Sequence, residues 1–304
     1  MSPPSPFSLH ASRAGAGAVL SAVVIWSFTN TLVKISDLPA LTFAVHRLWL
    51  GAALVVVGLY AVGRRLTWPV VRASAPGGVV LGLEIAFFFS ALKHTSIADV
   101  AIISALQPAF VLLLAPRLFG ERVGRRDLAW ATASVGGVVV VTIGSSGTPA
   151  WSLYGDLLAA GSLLAWTAYF LISKRARARV PAFEYLAVVF VVAALVVTPL
   201  AAIAGQPLGG VHVDDLLMLL LFVVGASAGH VLLTWAHGSV DVSVSSLIML
   251  AQPVVSALAA LAILGEPITP LSAAGGAIVL GSLGAIVSRA ASVARDDELE
   301  LPQT

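Results

Sequence analysis

Apolar runs of about 20 residues follow one another along this 304-residue chain, interrupted only by short stretches rich in Gly, Pro and Arg. At about 1.5 Å per residue a helix of that length crosses roughly 30 Å, the hydrocarbon thickness of a bilayer. Asp, Glu, Lys and Arg make up 11% of the residues and the apolar set 59%, whereas soluble domains carry about 25% charged residues. So few charges cannot cover a water-facing surface, and the solvent for most of the chain is lipid.

Seventeen Lys and Arg stand against fifteen Asp and Glu, but the Arg residues sit in short clusters between apolar runs and form no continuous basic stripe. A nucleic-acid partner is therefore not expected. The chain has no Cys, which excludes disulfides, thiolate metal sites and thiol catalysis. Neither a metal nor another cofactor is expected. Met1 to Ser12 are polar and Pro-rich, and the apolar run after Arg13 is too long for a signal-peptide core. It reads as a retained first span.

Breaks at Gly, Pro and charge clusters predict ten spans near 15–35, 40–62, 73–93, 97–117, 124–144, 152–173, 182–204, 214–236, 243–264 and 268–288. Ten crossings put both termini on one side. With that side taken as the cytoplasm, fourteen of the seventeen Lys and Arg lie inside: Arg13; Arg64, Arg65 and Arg72; Arg117, Arg122, Arg125 and Arg126; Lys174, Arg175, Arg177 and Arg179; Arg289 and Arg295. Lys34, Arg47 and Lys93 are the remainder. The external loops 145–151 and 205–213 have none, so the positive-inside bias points one way. The inside loop His237 to Val242 also has none and is expected to follow its neighbours. The expected location is a bacterial inner membrane, with cytoplasmic termini.

Sliding the sequence on itself by 145 residues pairs Gln107-Pro108 with Gln252-Pro253, Gly120-Glu121 with Gly265-Glu266, Ala115 with Ala260 and Gly136 with Gly281. A shift of 140 pairs Trp26 with Trp166 and Lys34 with Lys174. Two duplicated five-span halves follow, residues 14–144 and 152–288, flanked by tails 1–13 and 289–304. An odd number of spans makes the second half enter from the opposite side, so the expected fold is all-α: ten transmembrane helices as two inverted five-helix repeats around a central cavity.

Trp26-Ser27 with Lys34, Pro39 to Arg47, Pro108 followed by Gly120-Glu121-Arg122, and Pro253 followed by Gly265-Glu266-Pro267 occur in an order that resembles the EamA-type branch of the drug/metabolite transporter superfamily. The resemblance spans roughly residues 15 to 288. It implies a ten-helix basket with a central cavity and export of amino acids or related metabolites, and is similar to the amino-acid exporters, aromatic ones included. The small multidrug members couple protons through a Glu in the first span. This first span has none, so that coupling route is not expected.

Within hydrocarbon a charged side chain costs at least ~2.5 kcal/mol, so Arg47 and Glu84 should be paired or face a wet cavity. Both fall ~10 to 14 Å from the outer end of their spans, the second and third. An ion pair between them is expected, either recognising a substrate carboxylate or ammonium or locking two helices. Gln107-Pro108 and Gln252-Pro253 fall mid-span, where proline frees a carbonyl in the preceding turn. The two Gln residues are candidate ligands for an amino group, and Pro108 and Pro253 candidate hinges for alternating access; the alternative is a plain kink.

Trp26, Asn30 and Lys34 recur every four residues and line one helix face, as do Trp166, Phe170 and Lys174. With Phe87, Phe88, Tyr169 and Trp235 they offer apolar contact to a substrate side chain, while Ser104, Ser256, Gln107, Gln252 and His230 complete the candidate cavity set. The competing reading is aromatic packing, with each terminal Lys reaching to the headgroups. Glu121 and Glu266 are expected to satisfy amides at the start of the next span. Gly78 with Gly82, and Gly225 with Gly229, should let helices approach closely.

Other function classes leave weaker marks. Gly225-Ala226-Ser227-Ala228-Gly229 matches a serine nucleophile elbow, with His230 or His94 as base, but it sits in an apolar helix rather than a strand-turn-helix. A channel would need a coordinated filter or a ring of charge, and no such sequence occurs. A nucleotide-sugar or sugar-phosphate carrier, the alternative within transporters, would need a cluster of cavity Lys and Arg to grip phosphate. The expected reading is a monomeric secondary transporter of small neutral or zwitterionic metabolites, partnered by its solute and the lipid bilayer.

Overall fold

The computed structural model describes residues 12–33, 38–146, 149–209, 211 and 213–300, with backbone alone at 30–33, 146, 213, 214 and 291–300. Lys34 and the side chain of Asn30 lie outside the described residues. Among them the regular structure is helical: α1 (Arg13–Val33), α2 (Ala40–Ala61), α3 (Trp68–His94), α4 (Ile97–Ser104), α5 (Gln107–Phe119), α6 (Arg125–Ser146), α7 (Leu153–Arg177), α8 (Ala182–Ile203), α9 (Val213–Ala236), α10 (Val242–Ile248), α11 (Gln252–Leu264) and α12 (Pro270–Glu300). Among the described residues nine stretches are long and apolar enough to cross a membrane, counting α4–α5 and α10–α11 as one each, and Arg13–Thr29 forms a shorter apolar helix. Val57, Leu157, Leu195 and Leu217 stand exposed along these helices, where a water-soluble protein would show no such continuous apolar belt. The protein is an integral membrane protein.

The fourth and ninth spans are each broken at Gln-Pro. Proline there does not kink a continuous helix: α4 ends at Ser104, Ala105 and Leu106 turn, and α5 restarts with Pro108 in its first turn, where the missing donor has no intrahelical partner to lose. In the ninth span a single tight turn, Met249–Ala251, separates α10 from α11, which restarts with Pro253 in the same place. Both broken spans end on a left-handed glycine, Gly120 (φ 70°) and Gly265 (φ 69°), a conformation that penalises any Cβ. The next pair of positive-φ glycines, Gly63 and Gly205, follows α2 and α8.

Loops gather in two groups. In one, Thr269 donates to the Gly144 carbonyl, Ala150 and Trp151 amides donate to Asp99, Thr95 donates to Asp156, and Gln206 accepts from the Leu41 amide. In the other, Ser12 bonds Ser239, Arg64 reaches both Glu184 oxygens at 3.1 Å, Arg289 meets Asp127 at 2.9 Å, and Glu121 accepts from Val242 and Ser243. Each long helix or broken span runs from one group to the other.

Packing partners come in matched pairs. α1 lies against α9 as α7 lies against α3, while α2 with α8 and α6 with α12 join corresponding helices of the two halves. Close approach is made by small residues. A Cβ on Gly78 would stand 2.5 Å from Val192 and one on Gly82 2.8 Å from Val196, while one on Gly225 would strike Thr29 and one on Gly229 the Trp26 indole.

Candidate functional site

Four helices from both halves meet in an aromatic cluster. Trp26 on α1 donates its indole N–H to the Ala226 carbonyl of α9 (3.1 Å), which fixes its ring edge-on to His230 at 4.7 Å and to Trp166 of α7 at 6.1 Å. Trp166 stacks on Tyr169 at 5.2 Å, and Phe190 of α8 packs edge-on to His230 at 5.3 Å. The His230 Nδ1 lies 2.8 Å from the same Ala226 carbonyl, an acceptor, so Nδ1 holds the hydrogen. Nε2 is then a bare acceptor, buried and without a partner.

Arg47 of α2 and Glu84 of α3 stand beside this cluster, both partly accessible. They do not form the expected ion pair. Glu84 accepts from Ser162 Oγ of α7 at 3.2 Å, and the Arg47 guanidinium lies over the Phe222 ring of α9 at 5.5 Å. Each charge remains in electrostatic reach of the other, Arg47 also of His230, and Glu84 also of Tyr169. Each charge instead meets a partner from the second half, Glu84 the Ser162 hydroxyl and Arg47 the Phe222 ring, and the two opposite charges make no direct contact.

Along the fourth span, Gln107 is buried with Nε2 unpartnered, while Ser104 just before the break is partly accessible. In the ninth span Gln252 holds the position matching Gln107 and Ser256 lies one turn beyond it, both partly accessible, and the Gln252 carbonyl accepts from Ser27 Oγ at 3.3 Å. Phe88 is half-buried against Phe89 at 5.6 Å. The stripe reading joins Trp26 to Trp166 and Phe170, but Lys174 does not reach for headgroups: its Nζ donates to the Val240 carbonyl at 2.5 Å. Ser162, Phe190 and Phe222 were not singled out from the sequence. Ser162 was within reach, one turn before Trp166 on the four-residue stripe; Phe190 and Phe222 lie in helices apolar on every side, where periodicity carries no signal.

Glu121 departs from expectation. It does not serve α6, which follows it; its two oxygens accept from the amides of Val242 (2.7 Å) and Ser243 (3.0 Å) at the start of α10, in the other half. Burial, with Asp241 nearby, pushes its carboxyl above the ordinary carboxylate range despite those two amides. His237 accepts or donates at Ser173 Oγ (2.9 Å), and burial with Lys174 and Arg177 close by pushes its imidazole down to about 3. Ser227 lies buried inside α9 with His230 committed to Ala226, and His94 sits at the far end of α3 bonded to Ser90, so no base is aimed at that hydroxyl.

The sequence profile of the EamA-like transporter family matches residues 13–143 and again 153–288. The chain belongs to the EamA-like transporter family. It is 32% identical over 185 residues to the aromatic amino acid exporter YddG of Ancylobacter novellus, covering 56% of this chain and 61% of that one. An uncharacterized transporter of Bacillus subtilis, YwfM, is 26% identical over 289 residues, 90% of this chain and 93% of the relative. The pseudopaline exporter CntI of Pseudomonas aeruginosa is 29% identical over 113 residues, a match spanning 40% of its length and 36% of this chain. A solved crystal structure superposes with a TM-score of 0.78 at 24% identity, covering 94% of this chain and 100% of that one, and supports the fold.

Proposed function

We propose that this EamA-like protein is a secondary carrier that exports amino acids or closely related small zwitterionic or neutral metabolites by alternating access, its two five-helix halves inverted about a central site. The observation that carries this reading is the separated pair, Arg47 over Phe222 and Glu84 on Ser162, next to an aromatic cluster assembled from both halves. Two unpaired charges in a low-dielectric setting are costly. A solute bearing a carboxylate and an ammonium offers each charge its missing partner at once, and its side chain then lies among Trp26, Trp166 and Phe190. Relatives named as exporters of an aromatic amino acid and of pseudopaline agree with small organic cargo.

Inversion is supported by the matched packing pairs, by the two broken spans with their left-handed terminal glycines, and by Glu121 and Glu266 belonging to opposite loop groups. Because both halves of the site come from one chain, a monomer suffices. The group holding Arg64, Glu121 and Arg289 is the arginine-rich one, which orients it, with both termini, to the cytoplasm by the positive-inside rule.

Reconstitution into proteoliposomes with a panel of amino acids tests this. The expected result is saturable uptake that is accelerated by solute on the far side and lost in both Arg47→Ala and Glu84→Gln. Flux that rises linearly with concentration, or no flux with any amino acid, overturns the reading.

A further inference from the structure

The two broken spans begin in the same way in sequence but are held differently. α4 satisfies itself: Ser96 accepts from the Asp99 amide at 3.0 Å while the Asp99 carboxylate takes the Ser96 amide at 3.3 Å, a closed capping box within one segment. α10 has Asp241 at the corresponding place, yet no side chain of its own segment caps it. Its first amides, those of Val242 and Ser243, go to Glu121, which arrives from the end of α5 in the other half and is buried there. A second, independent difference accompanies this one. At the arginine-rich end α5 packs against α10, whereas at the opposite end no comparable packing joins their counterparts α4 and α11.

We infer that Glu121 is the lock of the arginine-rich gate: by taking the Val242 and Ser243 amides it holds α5 on α10 and keeps that end shut, and it must release them for the end to open. The consequence for solute movement rests on the alternating-access reading; the lock itself does not. Amides at the start of a helix have no intrahelical partner, so a carboxylate that leaves them is exchanged for water only when water can enter. Release and hydration of the gate are thus one event. Lys174 draws the same region together from α7 by holding the Val240 carbonyl, two residues before the capped amides. When Glu121 leaves, the Val242 and Ser243 amides lose their acceptor from the first half, while Lys174 still ties the segment to its own half.

The absence of Cys makes the test direct, because one introduced thiol is then the sole reporter. Ser245 of α10 is fully buried with an unpartnered hydroxyl, and Ser104 at the end of α4 is partly accessible. Ser245→Cys and Ser104→Cys proteins in oriented membrane vesicles would be treated with a bilayer-impermeant maleimide, from the arginine-rich side for position 245 and from the opposite side for position 104. In the Glu121 background, position 245 labels slowly and position 104 quickly. Glu121→Ala should speed labelling at 245 about five- to tenfold, the scale of a lost helix-start acceptor, and slow it at 104. Glu121→Gln keeps one acceptor oxygen and should restore slow labelling at 245 in part, which separates loss of the cap from loss of folding. Unchanged labelling at 245 in Glu121→Ala overturns the inference. Labelling that rises at both positions overturns it too, since that marks general loosening. Reciprocal labelling in a protein that moves no solute supports the lock and sinks the transport reading instead.

Discussion

α4 and α10 occupy equivalent places in the two halves, and the contrast between them lies in where their first amides find acceptors. α4 is served from its own segment, the Asp99 amide by Ser96, while the Asp99 carboxylate also takes the Ala150 and Trp151 amides, so its start does not depend on contact with the other half's α10. α10 is served by Glu121 across the boundary, so its start is intact only while the halves touch. One duplicated element has become a fixed anchor, the other a removable contact. A buried polar group with an internal partner stabilises the fold in every state, whereas one with a partner on a moving body stabilises a single state.

The largest expected effect breaks the anchor. Asp99 is fully buried, and its carboxylate collects Thr95 Oγ1, Ser96 Oγ, and the amides of Ser96, Ala150 and Trp151. Asp99→Ala leaves several of these donors without an acceptor, at roughly 1–3 kcal/mol each, so a loss of at least about 3 kcal/mol is expected. Thermal unfolding in detergent would measure it, with the ratio of labelling at 104 to that at 245 unchanged in the folded fraction. Loss of stability by less than that of Glu121→Ala would reverse the assignment of anchor and lock.

Next come the two left-handed glycines. Ala at Gly120 or Gly265 forces a Cβ into a conformation that costs it about 1–2 kcal/mol, and neither position has anything else within reach of that Cβ, so the backbone penalty alone should appear. Equal stability losses are expected. Only Gly120→Ala should also speed labelling at position 245, because Gly120 aims Glu121 at α10. An equal effect from Gly265→Ala would remove the distinction between the two ends.

The positions of the spans were legible because a helix must satisfy its own backbone in lipid, and that demand writes itself as apolar runs: predicted 40–62 became Ala40–Ala61 and predicted 182–204 became Ala182–Ile203. The breaks at Gln107-Pro108 and Gln252-Pro253 were also visible, though as kinks rather than restarts. Partners across the bundle were not visible. Nothing in the local sequence says that Glu121 reaches Val242 instead of the next helix, or that Glu84 meets Ser162 and Arg47 meets Phe222, since these depend on how helices far apart in the chain are laid together. Charge in an apolar run located the candidate residues; only packing assigned their partners.

The smallest expected effect sharpens the comparison from the other side. Arg64 and Glu184 also join the two halves at the arginine-rich end, with Arg64 at 53% and Glu184 at 11% side-chain exposure. A pair so open to water is worth at most about 1 kcal/mol. It also sits where α2 packs along α8, away from the α5–α10 contact that Glu121 makes. Arg64→Ala should therefore lower stability by less than about 1 kcal/mol and leave labelling at position 245 as slow as before. Faster labelling there, matching that of Glu121→Ala, would mean that charge in general closes this end and that Glu121 has no special part in it. Slow labelling that persists in high salt, where an exposed pair is screened but a buried cap is not, would leave the single carboxylate as the contact that decides.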